Sequence, residues 1–138
     1  MPLPMTLVPR TAVPRMPTLL IVEDDALILE CAEMMISDFG YTTLTASDVD
    51  EAMKLINAPG QIDGMMTDIR LKAALQGGID LGWRAVSVRP ELRVLYATGS
   101  GRTPQIADGF VPNACFLQKP YTENLLQAAL ANLFSWQA

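Results

Sequence analysis

Residues 18–25 read TLLIVEDD, an apolar run from Thr18 to Val22 that ends abruptly in three acids, Glu23, Asp24 and Asp25. Such a run, with no polar residue alternating through it, marks a strand buried on both faces, as strands of parallel sheets are. Further β-type runs start at Thr42, Gly64, Arg93 and Ala114, so that from Leu19 onward the starts are spaced by 23, 22, 29 and 21 residues. Each interval accommodates one strand and one helix. The alternation predicts an α/β fold: a doubly wound, five-stranded parallel sheet with helices on both faces.

The intervening segments carry helical signals. Ile28, Cys31, Ala32, Met35, Ile36 and Phe39 recur at helical spacing and predict one apolar stripe, closed by Gly40. Ser47 is the expected cap of a second helix, with Asp48, Asp50 and Glu51 in its first turn and Pro59-Gly60 as its stop. A third helix is expected at about Leu81 to Val88, closed by Pro90. The last begins after Pro120 with Thr122 as cap and a buried face of Leu125, Leu126, Ala129, Leu130, Leu133 and Phe134. Between Gly99 and Asn113, three glycines and two prolines leave room for at most one helical turn, so the fourth helix is expected to be short or absent.

Composition narrows what this frame can do. The chain of 138 residues has room for one domain and buries about two-thirds of its unfolded surface without a disulfide or metal staple. A formal net charge of −5 argues against nucleic acid, whose affinity comes from Lys and Arg neutralising phosphates. There is no histidine. Ser-His-Asp and Cys-His catalysis, His-ligated zinc and phosphohistidine are therefore excluded. Cys31 and Cys115 stand 84 residues apart with no CxxC partner, and are expected as small buried residues in a reducing cytoplasm. No apolar run approaches the roughly 20 residues of a membrane span. Residues 1–17, with five of the ten prolines, are expected as a disordered Pro-rich leader before a domain over 18–138, with Met16 an alternative start to Met1.

In open parallel sheets, ligands bind beyond the carboxyl ends of the strands. Here those ends carry Glu23-Asp24-Asp25, Asp68, Thr98 and Lys119. Clustered carboxylates resist ionisation unless a cation joins them, and Mg²⁺, a hard ion held by one or two carboxylates and waters, suits the set. A carboxylate so placed can act as nucleophile toward a phosphoryl group. The Lys119 ammonium and Thr98 hydroxyl would then meet the charge and hydrogen-bonding needs of the transferred oxygens.

With these residues in place, the chain resembles the receiver domain of two-component response regulators. The segments that carry the resemblance are TLLIVEDD (18–25), MMTDIRL (65–71), YATG (96–99) and FLQKPY (116–121), within a span from Thr18 to Trp136. The resemblance implies a flavodoxin-like strand order 2-1-3-4-5. It implies Asp68 as phosphoacceptor, Asp24 and Asp68 as direct Mg²⁺ ligands, Glu23 as a ligand through water, and the main-chain carbonyl of Arg70 as the third protein ligand. Thr98 and Phe116 match the switch positions and Lys119 the family lysine, with a cis bond to Pro120. Asp25 is expected as a first-turn helix acid rather than a ligand.

The family pattern is broken in three places. LKAALQGG (71–78) looks like an insertion of about five residues beside the acceptor, either covering it or lying as surface. YATGSG resembles a receiver subgroup with an ATG signature and a weak fourth helix. Arg70 and Ser100 occupy the positions from which the family tunes phosphoryl lifetime. Arg70 either leans over the site, pairs with an acid, or is solvated surface.

The implied function is a single-domain response regulator. It would accept a phosphoryl group from a histidine kinase or histidine phosphotransfer protein onto Asp68 and signal in the cytoplasm by contact with an unknown downstream protein. A phosphorylation-dependent dimer is open to it, and an enzyme acting on a separate substrate is not expected. Off-stripe Leu27 and Met34 offer a kinase-docking spot. The alternative is a pseudo-receiver, never phosphorylated, that serves as an interaction module. A phosphohydrolase of the haloacid type would need a second Asp where Arg70 stands, and a flavodoxin-type binder would not carry acids after its first strand.

Overall fold

In a computed structural model, residues 16–71, 77–99 and 107–135 are described. Five strands, β1 (Thr18–Val22), β2 (Thr42–Ala46), β3 (Gly64–Asp68), β4 (Arg93–Thr98) and β5 (Cys115–Gln118), alternate with helices α1 (Ala26–Asp38), α2 (Val49–Asn57), α3 (Gly77–Val88) and α4 (Glu123–Ser135). All strand pairs are parallel and the order is β2-β1-β3-β4-β5. Residues 1–15 of the expected leader (1–17) and residues 100–106 of the segment expected to hold the fourth helix (99–113) lie outside the described residues; Ala107 and Asp108 are helical.

Every residue of β1 is buried, which explains its unbroken apolar run. Its side chains alternate between two cores. Leu20 and Val22 join Met65, Val94 and Tyr96 beneath α2 and α3, while Leu19 and Ile21 join Met66, Leu95 and Ala97 beneath α1 and α4. Edge strand β2, TTLTA, buries fully only Ala46, so Thr serves where Val or Ile would otherwise stand.

Several local expectations are corrected. On α1 the buried residues are Ala32 and Ile36; Ile28 and Cys31 are exposed, because a helix lying on a single sheet face buries a narrower stripe than the apolar spacing suggests. Cys115 is half-buried, so neither cysteine is a core residue. Leu125 is likewise exposed on α4, where Leu126, Leu130 and Leu133 carry the packing. The cap of α2 is Asp48, whose carboxylate accepts the Glu51 N–H, while Glu51 reaches back to the N–H and hydroxyl of Ser47. Those two bonds, from backbone and then side chain, hold the Glu51 carboxyl below its usual range. Helix α3 begins at Gly77, not near Leu81, so Gly77 and Gly78 belong to a helix rather than to an inserted loop; residues 72–76 lie outside the described residues.

Burial has a consequence at alkaline pH. All three tyrosines, Tyr41, Tyr96 and Tyr121, are held above the usual phenol value of 10.0 by desolvation. A folded-state pKa raised above the unfolded one contributes stability that is complete below the unfolded value and is lost as pH rises through the folded value. We expect less tyrosinate absorbance at pH 10 in the folded chain, with its near-ultraviolet circular dichroism intact, than in the unfolded chain at the same pH. A tyrosine titrating at or below 10 in the folded chain would contradict this.

Candidate functional site

Beyond the carboxyl ends of β1 and β3 the chain assembles an acidic cluster. Glu23, Asp24 and Asp68 each present a carboxylate oxygen, and the three lie within 4.8 Å of one another. Glu23 is buried and Asp24 and Asp68 half-buried, because β1 and β3 are adjacent and end at the same level, Val22 pairing with Thr67. Asp25 caps α1, its carboxylate accepting the N–H groups of Leu27 and Ile28, and so turns away from the cluster.

Lys119, one residue past β5, crosses to this cluster. Its ammonium lies 2.5 Å from Glu23 Oε1 and 3.2 Å from Asp68 Oδ2. The Lys119 N–H donates to the Thr98 carbonyl at 2.9 Å, and the following Lys119–Pro120 bond is cis. Burial pushes the Glu23 carboxyl up, and the bonds from Lys119 and the Asp25 N–H only partly draw it back, leaving it above its usual value. Burial draws the Lys119 ammonium down, but its pairing with Glu23 and Asp68 outweighs this and raises it. The lysine is a fixed cation at this site.

Three oxygen donors in this arrangement fit a small divalent cation. Carboxylate oxygens within 4.8 Å of one another can close on one small ion, directly or through a bound water. Hard carboxylate oxygens, without nitrogen or sulfur donors among the described residues of the cluster, suit Mg²⁺.

Thr98 is buried at the end of β4, one residue beyond Ala97, which pairs with Asp68. Phe116 pairs with Tyr96 across β4 and β5 and is half-buried. Arg70 is exposed and, among the described residues, enters no ion pair, so pairing with an acid is not found; Ser100 lies outside the described residues.

The structure adds residues that the motifs did not single out. Phe110 stacks on Tyr96, ring centroids 4.4 Å apart, and on Phe116 at 6.1 Å. The Tyr96 hydroxyl accepts the Val111 N–H, and the Trp83 indole N–H donates to the Gly109 carbonyl at 2.8 Å. An aromatic sequence therefore links β4, two residues before Thr98, to Phe116 and to the segment entering β5. Phe110 lies in the irregular segment before β5, where no sequence signal marks what it touches.

A strand order of 2-1-3-4-5 with acids at the β1 and β3 ends and a bridging lysine at the β5 end defines a class of signalling domain. The family model described as the response regulator receiver domain matches residues 19–131, and the chain belongs to that family. Among solved structures, a response regulator receiver protein from Sinorhizobium medicae WSM419 is 27% identical with a TM-score of 0.78, covering 87% of this chain and 95% of that one. The non-phosphorylated HemR receiver domain of Leptospira biflexa is 26% identical at a TM-score of 0.77, covering 88% and 97%. The chemotaxis protein CheY4 of Vibrio cholerae, 21% identical with a TM-score of 0.78 over 87% of this chain and all of that one, shares the fold. Nothing matches among curated proteins. Among the described residues, no helix is long and apolar enough to cross a membrane.

Proposed function

We propose that the chain is a Mg²⁺-assisted phosphoacceptor that takes a phosphoryl group from a phosphohistidine onto Asp68. The observation that carries this reading is the convergence of three carboxylates and Lys119 at one edge of the sheet. An Asp68 oxygen attacks phosphorus, the P–N bond to the donor imidazole breaks, and an acyl phosphate forms on Asp68. Glu23, Asp24, Asp68 and the Arg70 carbonyl would hold the metal, which when bound supplies charge neutralisation to the phosphoryl oxygens. The Lys119 ammonium, already drawn to Asp68, is placed to pair with an oxygen of the incoming group, and the Thr98 hydroxyl to donate to another. Water later attacks the same phosphorus, the P–O bond to Asp68 breaks, and inorganic phosphate leaves with Asp68 a carboxylate again. The chain assists its own phosphorylation and dephosphorylation rather than acting on a separate substrate.

Phosphorylation places nearly two negative charges on the phosphoryl oxygens beside Thr98 and Lys119, in place of the one on the Asp68 carboxylate. Contacts from Thr98 to the phosphoryl group favour one arrangement of β4, and the Tyr96–Phe110–Phe116 stack carries that preference toward the segment before β5. The partners are a histidine kinase or histidine phosphotransfer protein and, downstream, a protein that reads this face, in the cytoplasm. Leu27, 70% exposed, and Met34, 62% exposed, give α1 apolar surface for the phosphodonor. Beryllofluoride, a phosphoryl mimic, tests the reading. With Mg²⁺ it is expected to shift the amide resonances of Asp68, Thr98, Phe116 and Lys119 together. An unchanged spectrum would instead favour an interaction module that is never phosphorylated.

A further inference from the structure

We propose that Gly78 is a positioning residue for the phosphoacceptor, setting the Asp68 peptide and the backbone that follows it through the direct seating of α3 on the end of β3. The inference rests on the reading of Asp68 as a Mg²⁺-assisted acceptor and extends it to a residue outside the charged cluster. A Cβ at Gly78 would overlap the Asp68 carbonyl oxygen and lie 2.8 Å from both the Asp68 carbonyl carbon and Ile69 Cα. Carbon atoms do not pack closer than about 3.5 Å without strain, so any side chain here must displace α3 or the Asp68 peptide. Backbone cannot swing aside as a flexible side-chain tip can.

The same peptide is held from other directions. The Gly78 N–H donates to the Ile69 carbonyl at 2.8 Å, the Ile69 N–H donates to the Ala97 carbonyl at 2.9 Å, and the Thr67 hydroxyl donates to the Asp68 carbonyl at 3.0 Å. Gly78 closes this frame on the side of α3 by its contact with Ile69, the residue before Arg70, whose carbonyl is the expected metal ligand. Gly77 and Gly78 open α3 and both are buried, so the helix begins without side-chain packing on the end of β3. A helix start that forgoes good helix formers beside a reactive group points to a requirement of the site.

The test compares the full chain with its Gly78→Ala and Gly82→Ala variants by amide spectra, without metal and through a Mg²⁺ titration. Gly82 is the control because a Cβ there is also crowded, but by the Tyr96 hydroxyl rather than by the Asp68 peptide. In Gly78→Ala, the metal-free resonances of Asp68, Ile69 and Arg70 are expected to move and Mg²⁺ affinity to fall about tenfold or more. Gly82→Ala is expected to lower the melting temperature and leave Mg²⁺ affinity unchanged. A folded Gly78→Ala protein with unmoved Asp68 resonances and native affinity would overturn the proposal, as would an equal loss in both variants. Failure of the unsubstituted chain to bind Mg²⁺ would defeat the acceptor reading instead, while the metal-free spectra still report on Gly78. If Gly78→Ala does not fold, the unsubstituted chain decides. The Gly78 amide is expected to exchange as slowly as those of β3 and to shift with Asp68 on Mg²⁺ addition; rapid exchange without a shift would overturn the proposal.

Discussion

Replacing Lys119 by Met is expected to move metal binding and phosphoryl transfer in opposite directions. The ammonium pairs with Glu23 and Asp68, the same carboxylates that would hold Mg²⁺. Removing it removes a competing positive charge a few ångströms from the ion. At an effective dielectric of about 20, one unit charge at 4 Å is worth roughly 4 kcal/mol, so even after discounting for solvent we expect Mg²⁺ to bind about tenfold more tightly or better. Phosphoryl transfer from acetyl phosphate at saturating Mg²⁺ should nonetheless fall about 10²- to 10³-fold, the usual loss when one donor to a developing oxyanion is deleted. A titration and a single-turnover rate on the same preparation check both signs. Weaker Mg²⁺ binding together with slower transfer would mean that Lys119 organises the carboxylates rather than competing with the metal for them.

The second large effect is on stability and involves no reacting group. Arg89, one residue past α3, donates from Nε to the Ile56 carbonyl at 2.9 Å, from one terminal nitrogen to Gly60 at 2.9 Å and from the other to Ala58 at 2.8 Å. A single guanidinium thus satisfies carbonyls at and beyond the end of α2, where a helix leaves its last acceptors unpaired and a cation is favoured. Hydrogen bonds to charged groups contribute about 1.5–3 kcal/mol each, but the freed carbonyls regain water, so Arg89→Ala should cost about 3 kcal/mol in all. Lys has neither the fork nor the reach to three carbonyls, and Arg89→Lys should recover less than half of the loss. Denaturant unfolding of the two variants beside the unsubstituted chain measures this. A loss below about 1 kcal/mol in Arg89→Ala would show that water replaces the clamp at little cost.

These cases also show where the sequence was legible. The three central strands were readable because a strand buried on both faces cannot hide its apolar run, and LLIV, MMT and VLYAT needed no other context. The charged cluster was readable because parallel topology places every strand's carboxyl end on one edge, so Glu23, Asp24, Asp68 and Lys119 had to approach one another once the strand order was known. Gly78 was not readable as a site residue. Its meaning lies in the distance to the Asp68 carbonyl, and two adjacent glycines weaken the very helix signal that would have placed them. For that reason α3 begins four residues before the position its apolar pattern marks. Arg89 was silent because its three acceptors are main-chain atoms about 30 residues away, with nothing in their side chains to mark them. Ser47 and Asp48 are both good caps, and only the backbone, extended at Asp48, separates them. The aromatic link through Phe110 falls in a stretch whose glycines and prolines signal irregular backbone and say nothing of what it packs against.

The central claim is that Asp68 accepts the phosphoryl group with the help of Mg²⁺. Intact-protein mass spectrometry after incubation with acetyl phosphate tests it most directly, with and without Mg²⁺ and beside an Asp68→Ala control. The prediction is a single phosphoryl adduct that requires Mg²⁺ and is absent from the control. An adduct that persists in Asp68→Ala, or no adduct on the unsubstituted chain at saturating Mg²⁺, would contradict it.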